Sequence, residues 1–125
     1  MLTDHHAFSG IAVTDIAAAR RFYADTLGLR TSDEHGMMWL HHATHKTLVY
    51  EQPAATPASY TVLNFEVDNI DNTVTALVER GVDFERYPGL DQDELGVFRA
   101  DGPYIAWFKD PSGNVLAVLQ ERVLE

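Results

Sequence analysis

Residues 8–29 read FSGIAVTDIAAARRFYADTLGL, and residues 62–82 read VLNFEVDNIDNTVTALVERGV. Sliding one over the other by 54 residues pairs Val13 with Val67, Asp15 with Asn69 and Ile16 with Ile70, and a one-residue slip then pairs Gly28 with Gly81. A chain that repeats one strand–helix phrase predicts a duplicated, pseudo-two-fold fold whose site lies where the halves meet.

The first copy is built from recognisable parts. FSGIAV (8–13) is short, apolar and β-branched at its end, which suits a strand. Asp15 can cap the helix that follows by accepting from backbone N–H groups that lack partners. Ile16, Ala19, Phe22 or Tyr23, and Leu27 then recur at helical spacing. Arg20 and Arg21 fall beside that stripe, and Gly28 can take the left-handed conformation that ends a helix. In the second copy residues 61–67 form the strand and Asn69 or Asp71 the cap. Ile70, Val74, Leu77 and Val78 form the stripe, and Gly81 the stop.

Strand-like segments follow each helix. After the first come residues 37–42 and 46–52, with a short strand allowed around 29–32. After the second come 82–87, 94–99, 104–109 and 114–120. The first half therefore reads as the compressed one. Residues 110–114, DPSGN, make a strong turn, because proline presets one dihedral and Gly or Asn accepts positive φ. Residues 53–59 hold two prolines among small residues and read as the linker, between a first module at about 5–52 and a second at about 60–122. Together they are expected to make one domain over residues 1–125.

Composition narrows the function classes. The chain has 125 residues, 46% of them apolar, enough for a sizeable core. Nine Lys and Arg stand against 19 Asp and Glu, a net charge of −10. That repels phosphate backbones and anionic lipid surfaces, so neither nucleic acid nor membrane is an expected partner. Cysteine is absent, which excludes disulfides, zinc–thiolate sites and thiol nucleophiles. MLTDHHAF is not a secretory signal, and no apolar run approaches the ~20 residues of a membrane span, so a cytoplasmic location is the default.

V-x-D-I at 13–16, F-Y-x-x-x-L-G at 22–28, V-D-N-I at 67–70 and D-P-S-G-N-V at 110–115 together resemble the vicinal oxygen chelate superfamily, which includes glyoxalase I, extradiol dioxygenases and bleomycin-resistance proteins. The resemblance implies an α+β fold of two βαβββ modules in pseudo-two-fold arrangement, forming a cup-shaped mixed β-sheet. It also implies a homodimer. Family members hold a divalent metal through His, Glu or Gln at equivalent strand positions. Those positions fall here on Phe8, Val62, Ala117 and, within a residue or two, Leu48, with Glu51 inside that margin. Apolar side chains cannot ligate such metals. No metal and no cofactor are therefore expected.

His41, His42 and His45 form H-H-x-x-H. On a continuous strand His41 and His45 would sit about 13 Å apart, too far to share an ion. With a turn at 43–44 they could chelate, but a polar hairpin tip is the plainer reading. Strand alternation puts Phe8, Gly10 and Ala12 on one face, Val62, Asn64 and Glu66 on another, Val115, Ala117 and Leu119 on a third, and Leu48 with Tyr50 on a fourth. Trp39, Tyr104 and Trp107 come from neighbouring strands with faces undetermined.

The expected ligand site is therefore Phe8, Trp39, His41, Tyr50, Asn64, Glu66, Tyr104, Trp107 and Ala117. This is an aromatic surface with a few polar groups, suited to a small, partly apolar organic molecule. Two functions follow from it. One is metal-independent binding. The other is a lyase, isomerase or dioxygenase that uses a relocated metal or metal-free acid–base chemistry by Glu66, Tyr50 or His41. The residues leave open whether the protein is an enzyme.

Overall fold

The first helix begins where side chains from two places meet its free N–H groups. Asp15 Oδ1 accepts from Ala17 N and Ala18 N at 3.0 and 3.1 Å, and Glu51 Oε2 accepts from Ile16 N at 2.9 Å. In the second copy Asn69 Oδ1 accepts from Asn72 N at 3.0 Å, and Gln120 Oε1 accepts from Ile70 N at 2.8 Å. The repeat thus extends to a pairing that the aligned stretches do not contain. In each copy the last strand's final residue caps the helix.

These contacts come from a computed structural model that describes residues 1–100 and 102–122. It divides into two units, Met1–Thr56 and Pro57–Glu125, and the division falls inside the expected linker.

The first unit runs β1 (Ser9–Val13), α1 (Ile16–Arg20), a wide helical turn (Arg21–Thr26), β2 (Arg30–Glu34), β3 (Met37–His41) and β4 (Lys46–Glu51). The wide turn closes with Leu27 N donating to Phe22 O, one residue longer than an α-helical bond. The sheet order is β1-β4-β3-β2, with β1 and β4 parallel and the other pairs antiparallel. β2 and β3 are joined through His35 and Gly36, both at positive φ, the geometry of a two-residue hairpin that matches strand twist. Ile11, Val13, Met38, Leu40, Thr47 and Val49 are buried on the side of the sheet that packs on α1, with Ala19 and Tyr23.

The second unit runs β5 (Thr61–Glu66), α2 (Ile70–Glu79), β6 (Tyr104–Lys109) and β7 (Val115–Gln120), with sheet order β5-β7-β6. Ala106, Phe108, Leu116 and Val118 are buried beside Ile70 and Val74. Val78 is 52% exposed, so the helix buries a narrower stripe than its sequence suggests. No helix among the described residues is long and apolar enough to cross a membrane.

The expected balance of strands is reversed. The first unit carries all three strands after its helix, and the second carries two. Residues 82–87 and 94–99 make only isolated bridges, Phe84 to Phe108, Gln92 to Phe98 and Phe98 to Ile105. The reason is side-chain competition for the backbone. Gln92 accepts from Tyr87 N and donates to the carbonyls of Glu85 and Gly96. Asp93 Oδ1 accepts from Leu95 N and Val97 N, both at 2.9 Å. Arg86 donates to the carbonyls of Asp93 and Glu94. These bonds satisfy N–H and C=O groups that a sheet ladder would otherwise need.

Gly113 shows why the turn at 110–114 needs its glycine. Its φ is 94°, and a Cβ there would stand 3.1 Å from Pro57 Cγ.

Candidate functional site

Pairing register sorts the side chains of the first sheet. Gly10 lies opposite Leu48, Leu48 opposite Trp39, and Trp39 opposite Ser32. This row points away from α1, because the alternate residues are the buried ones. Tyr50, Met37, Glu34, His41, Lys46 and Arg30 share that open face by alternation, and Phe8 joins it just before β1. Of the expected residues, Phe8, Trp39, His41 and Tyr50 are therefore brought onto one face.

Trp39 is held from three sides. Phe8 meets it edge-on with ring centroids 4.9 Å apart. Its indole Nε1 donates to Glu34 Oε2 at 2.7 Å. The Lys46 ammonium lies 4.1 Å from its ring centroid. Such an indole is fixed before any ligand arrives, which lowers the ordering cost of binding. Phe8 is 58% and Tyr50 37% exposed, so large aromatic area faces outward. The Tyr50 ring lies over Gly10, whose missing Cβ would stand 3.6 Å from Tyr50 Cε1.

In the second sheet Asn64 lies opposite Ala117, and Ala117 opposite Trp107. Glu66 lies opposite Leu119 and shares that face. Asn64, Glu66, Trp107 and Ala117 are thus together on the side away from α2. Val62 falls at a register irregularity between Thr61 and Leu63 and has no partner of its own on β7. Tyr104 lies on the other face. It pairs with Gln120, which caps α2, and its ring sits under Arg99, which itself bonds Asp71 of α2.

Two aromatics missed in the sequence join Trp107 instead. Tyr87 packs edge-on at 5.5 Å and Phe98 at 6.4 Å between centroids. Both are placed by the Gln92–Asp93 loop. Asp93 accepts from Arg99 Nε at 2.9 Å and from two backbone N–H groups. Burial alone would raise its carboxyl pKa. The hydrogen bonds from Val97, Arg99 and Leu95, with the Arg99 charge, outweigh burial and hold it below the usual range. No pairwise spacing announces this arrangement; Phe98 next to Arg99 was the available hint.

The histidines of H-H-x-x-H go to separate partners. His41 Nε2 is 2.8 Å from Ser32 Oγ, His42 Nε2 is 2.9 Å from Thr47 Oγ1, and His45 Nδ1 is 2.8 Å from Thr44 Oγ1. Thr47 Oγ1 is also 2.9 Å from Ser9 Oγ. Burial, and then the nearby His45 and His41, push the His42 pKa below its usual 6.5. Because the folded value is depressed, the stabilisation is complete above about pH 6.5 and is lost as pH falls through the folded value. The melting temperature of the wild type is expected to decline between about pH 7.5 and pH 5.5 by more than that of His42→Asn. Parallel melting curves for the two proteins would assign the acid sensitivity elsewhere.

The positions that the resemblance gives to metal ligands carry no donors. Phe8 and Leu48 offer hydrocarbon, Val62 sits at the β5 irregularity, and Ala117 is fully buried. Glu51 is on the α1 side of β4, where it caps the helix. Among the described residues, neither unit gathers three or more His, Asp or Glu as a metal ion would require. The residues present do not fit the family's metal.

Comparison with known proteins agrees with the motifs and the topology. Residues 3–118 match the family model described as Glyoxalase/Bleomycin resistance protein/Dioxygenase superfamily. No curated protein matches the chain. Among solved structures, a glyoxalase family protein from Bacillus anthracis is 17% identical, with 95% of this chain and 96% of that chain covered and a TM-score of 0.75. TnmS3, an antibiotic binding protein from Streptomyces sp. CB03234, is 24% identical, with coverage of 98% and 99% and a TM-score of 0.72. A lactoylglutathione lyase from Agrobacterium tumefaciens is 18% identical, with coverage of 94% and 93% and a TM-score of 0.70. At such identities the structural likeness concerns the fold, while the family match spans nearly the whole chain. The chain belongs to the glyoxalase/bleomycin resistance protein/dioxygenase superfamily.

Proposed function

We propose that this protein binds a small, partly apolar organic molecule without a metal. The carrying observation is the open face of the first sheet, where a braced Trp39 stands beside outward-facing Phe8 and Tyr50. Flat aromatic area with a few fixed polar groups is the usual lining of small-molecule sites. The face of Trp107, Tyr87 and Phe98 in the second unit has the same character, with Asn64, Glu66 and Ala117 on the same side. The absence of donors at the expected ligand positions argues against metal-dependent turnover, and a fold shared with an antibiotic binding protein is consistent with binding alone. The same reading takes the protein as a single-domain homodimer in the cytoplasm.

The test is a titration with 2-naphthylmethanol, a neutral flat aromatic. It is followed through the indole N–H signals of Trp39 and Trp107, assigned with Trp39→Phe and Trp107→Phe. Saturable shifts with Kd on the order of 10⁻⁴ M are expected, and added zinc, nickel or manganese should leave that affinity unchanged. The same samples should sediment at about twice the 14.0 kDa of one chain. Unmoved indole signals at millimolar probe, or stoichiometric metal in tag-free protein, would overturn the reading.

A further inference from the structure

The open face of the first sheet carries a second row, one step from the row of Trp39. Arg30 on β2 lies opposite His41 on β3, and His41 lies opposite Lys46 on β4. Three basic side chains thus stand side by side across three neighbouring strands, about 4.8 Å per strand. The protein has only nine Lys and Arg against 19 acids.

Four of those bases are engaged by acids or carbonyls. Arg20 pairs with Asp33, Arg99 with Asp71 and Asp93, and Lys109 with Glu85, while Arg86 is held by two carbonyls. Among the described residues, no carboxylate stands within ion-pair distance of Arg30 or Lys46. Lys46 instead rests on the Trp39 ring. What sets Arg30 and Lys46 apart is their place: two cations without carboxylates share one register row across the open face. Glu34, the acid on the same face of β2, lies about 13 Å along the strand from Arg30 and is committed to the Trp39 indole. His41 bonds Ser32 through Nε2, and that bond leaves Nδ1 for another partner.

We propose that the row Arg30–His41–Lys46 receives the anionic group of a ligand whose flat apolar body lies on the adjoining row of Trp39, Leu48 and Tyr50. The ligand class is an aromatic or polycyclic molecule bearing a carboxylate, sulfonate or phosphate. This rests on the small-molecule binding reading above and adds the charge of the molecule. Lys46 sits at the boundary of the two rows. An arriving anion draws its ammonium off the indole, and the uncovered ring face becomes available to the ligand body.

The experiment compares three probes of one shape: 2-naphthoate, 2-naphthylmethanol and 2-naphthylmethylammonium. Each is titrated at low salt into wild type and into Arg30→Gln/Lys46→Gln, with the Trp39 indole N–H as readout. Both substituted side chains are on the exposed face, and circular dichroism checks the fold. The expected result is naphthoate binding about fivefold or more tighter than the alcohol, with the ammonium probe weakest. In the double variant the ratio of naphthoate to alcohol affinity falls to within about twofold, whichever way the alcohol's own affinity moves. Equal affinities for the three probes in wild type would overturn the anion assignment and leave small-molecule binding standing. A naphthoate preference that survives in the double variant would also overturn it, by placing the anion elsewhere. Unmoved Trp39 signals with all three probes would sink the binding reading and this inference with it.

Discussion

Phe108→Ala is expected to destabilise the second unit by about 3–5 kcal/mol, the range for deleting a fully buried aromatic. Phe108 is 0% exposed, the last but one residue of β6, opposite Leu116 on β7, and meets Phe84 edge-on at 5.4 Å. Leu116 and Val118 hang from β7 and cannot move inward to fill a benzyl-sized space without breaking its ladders to β5 and β6. Relaxation should therefore be poor and the cost near the top of the range. Small domains hold only about 5–15 kcal/mol of stability, so the variant should melt on the order of 15 °C lower. Phe108→Leu keeps most of the volume and should lose about 1–2 kcal/mol. Urea denaturation of both variants checks this. Equal, small losses would show that the site collapses freely and that the packing described here is wrong.

Asp110→Ala is expected to cost about 3 kcal/mol, a large effect for a residue in a turn. Asp110 is 4% exposed and accepts from Ser112 N, Asn114 N and Asn114 Nδ2 at 2.9, 2.9 and 3.0 Å. Asn114 is itself buried at 4%. Alanine would leave those donors facing a void, and an unsatisfied buried donor costs about 1–3 kcal/mol. Asp110→Asn can keep one oxygen on the backbone donors, but it turns an amide NH₂ toward that of Asn114. Its loss should be intermediate. The ordering alanine, then asparagine, then wild type in urea midpoints is the check. An asparagine variant as stable as wild type would remove the bond to Asn114 Nδ2 from the account.

What could be read from the sequence was what depends on local chemistry. Asp15 and Asn69 announce helix starts by residue type, and both do cap. The strands at 104–109 and 114–120 are apolar runs flanking an unmistakable turn. Residues 82–99 failed because their fate is decided by Gln92 and Asp93, whose side chains reach backbone groups two to seven residues away. Their β-like composition then lost to turn-forming bonds. On the open faces, alternation placed Phe8, Tyr50, Asn64 and Glu66 together with their neighbours, because period two survives without tertiary knowledge. Tyr104 required the register of β6 on β7. The basic row is invisible along the chain, since Arg30 and Lys46 are 16 positions apart and become neighbours only through two strand pairings. Tyr87 and Phe98 reach Trp107 through a loop that no periodicity describes.

The caps given by Glu51 and Gln120 carry a consequence for the order of assembly. A helix of five or ten residues is too short to persist alone in water. α1 gains its full N-terminal capping only when residue 51 has arrived, and α2 only when residue 120 has arrived. Each helix therefore matures with the closing strand of its own unit rather than ahead of it. During synthesis the first unit can finish once β4 has emerged, whereas the second must keep α2, complete at Glu79, provisional for some 40 further residues until Gln120. The interval between helix and closing strand is when the second half of the chain is most open to misassembly.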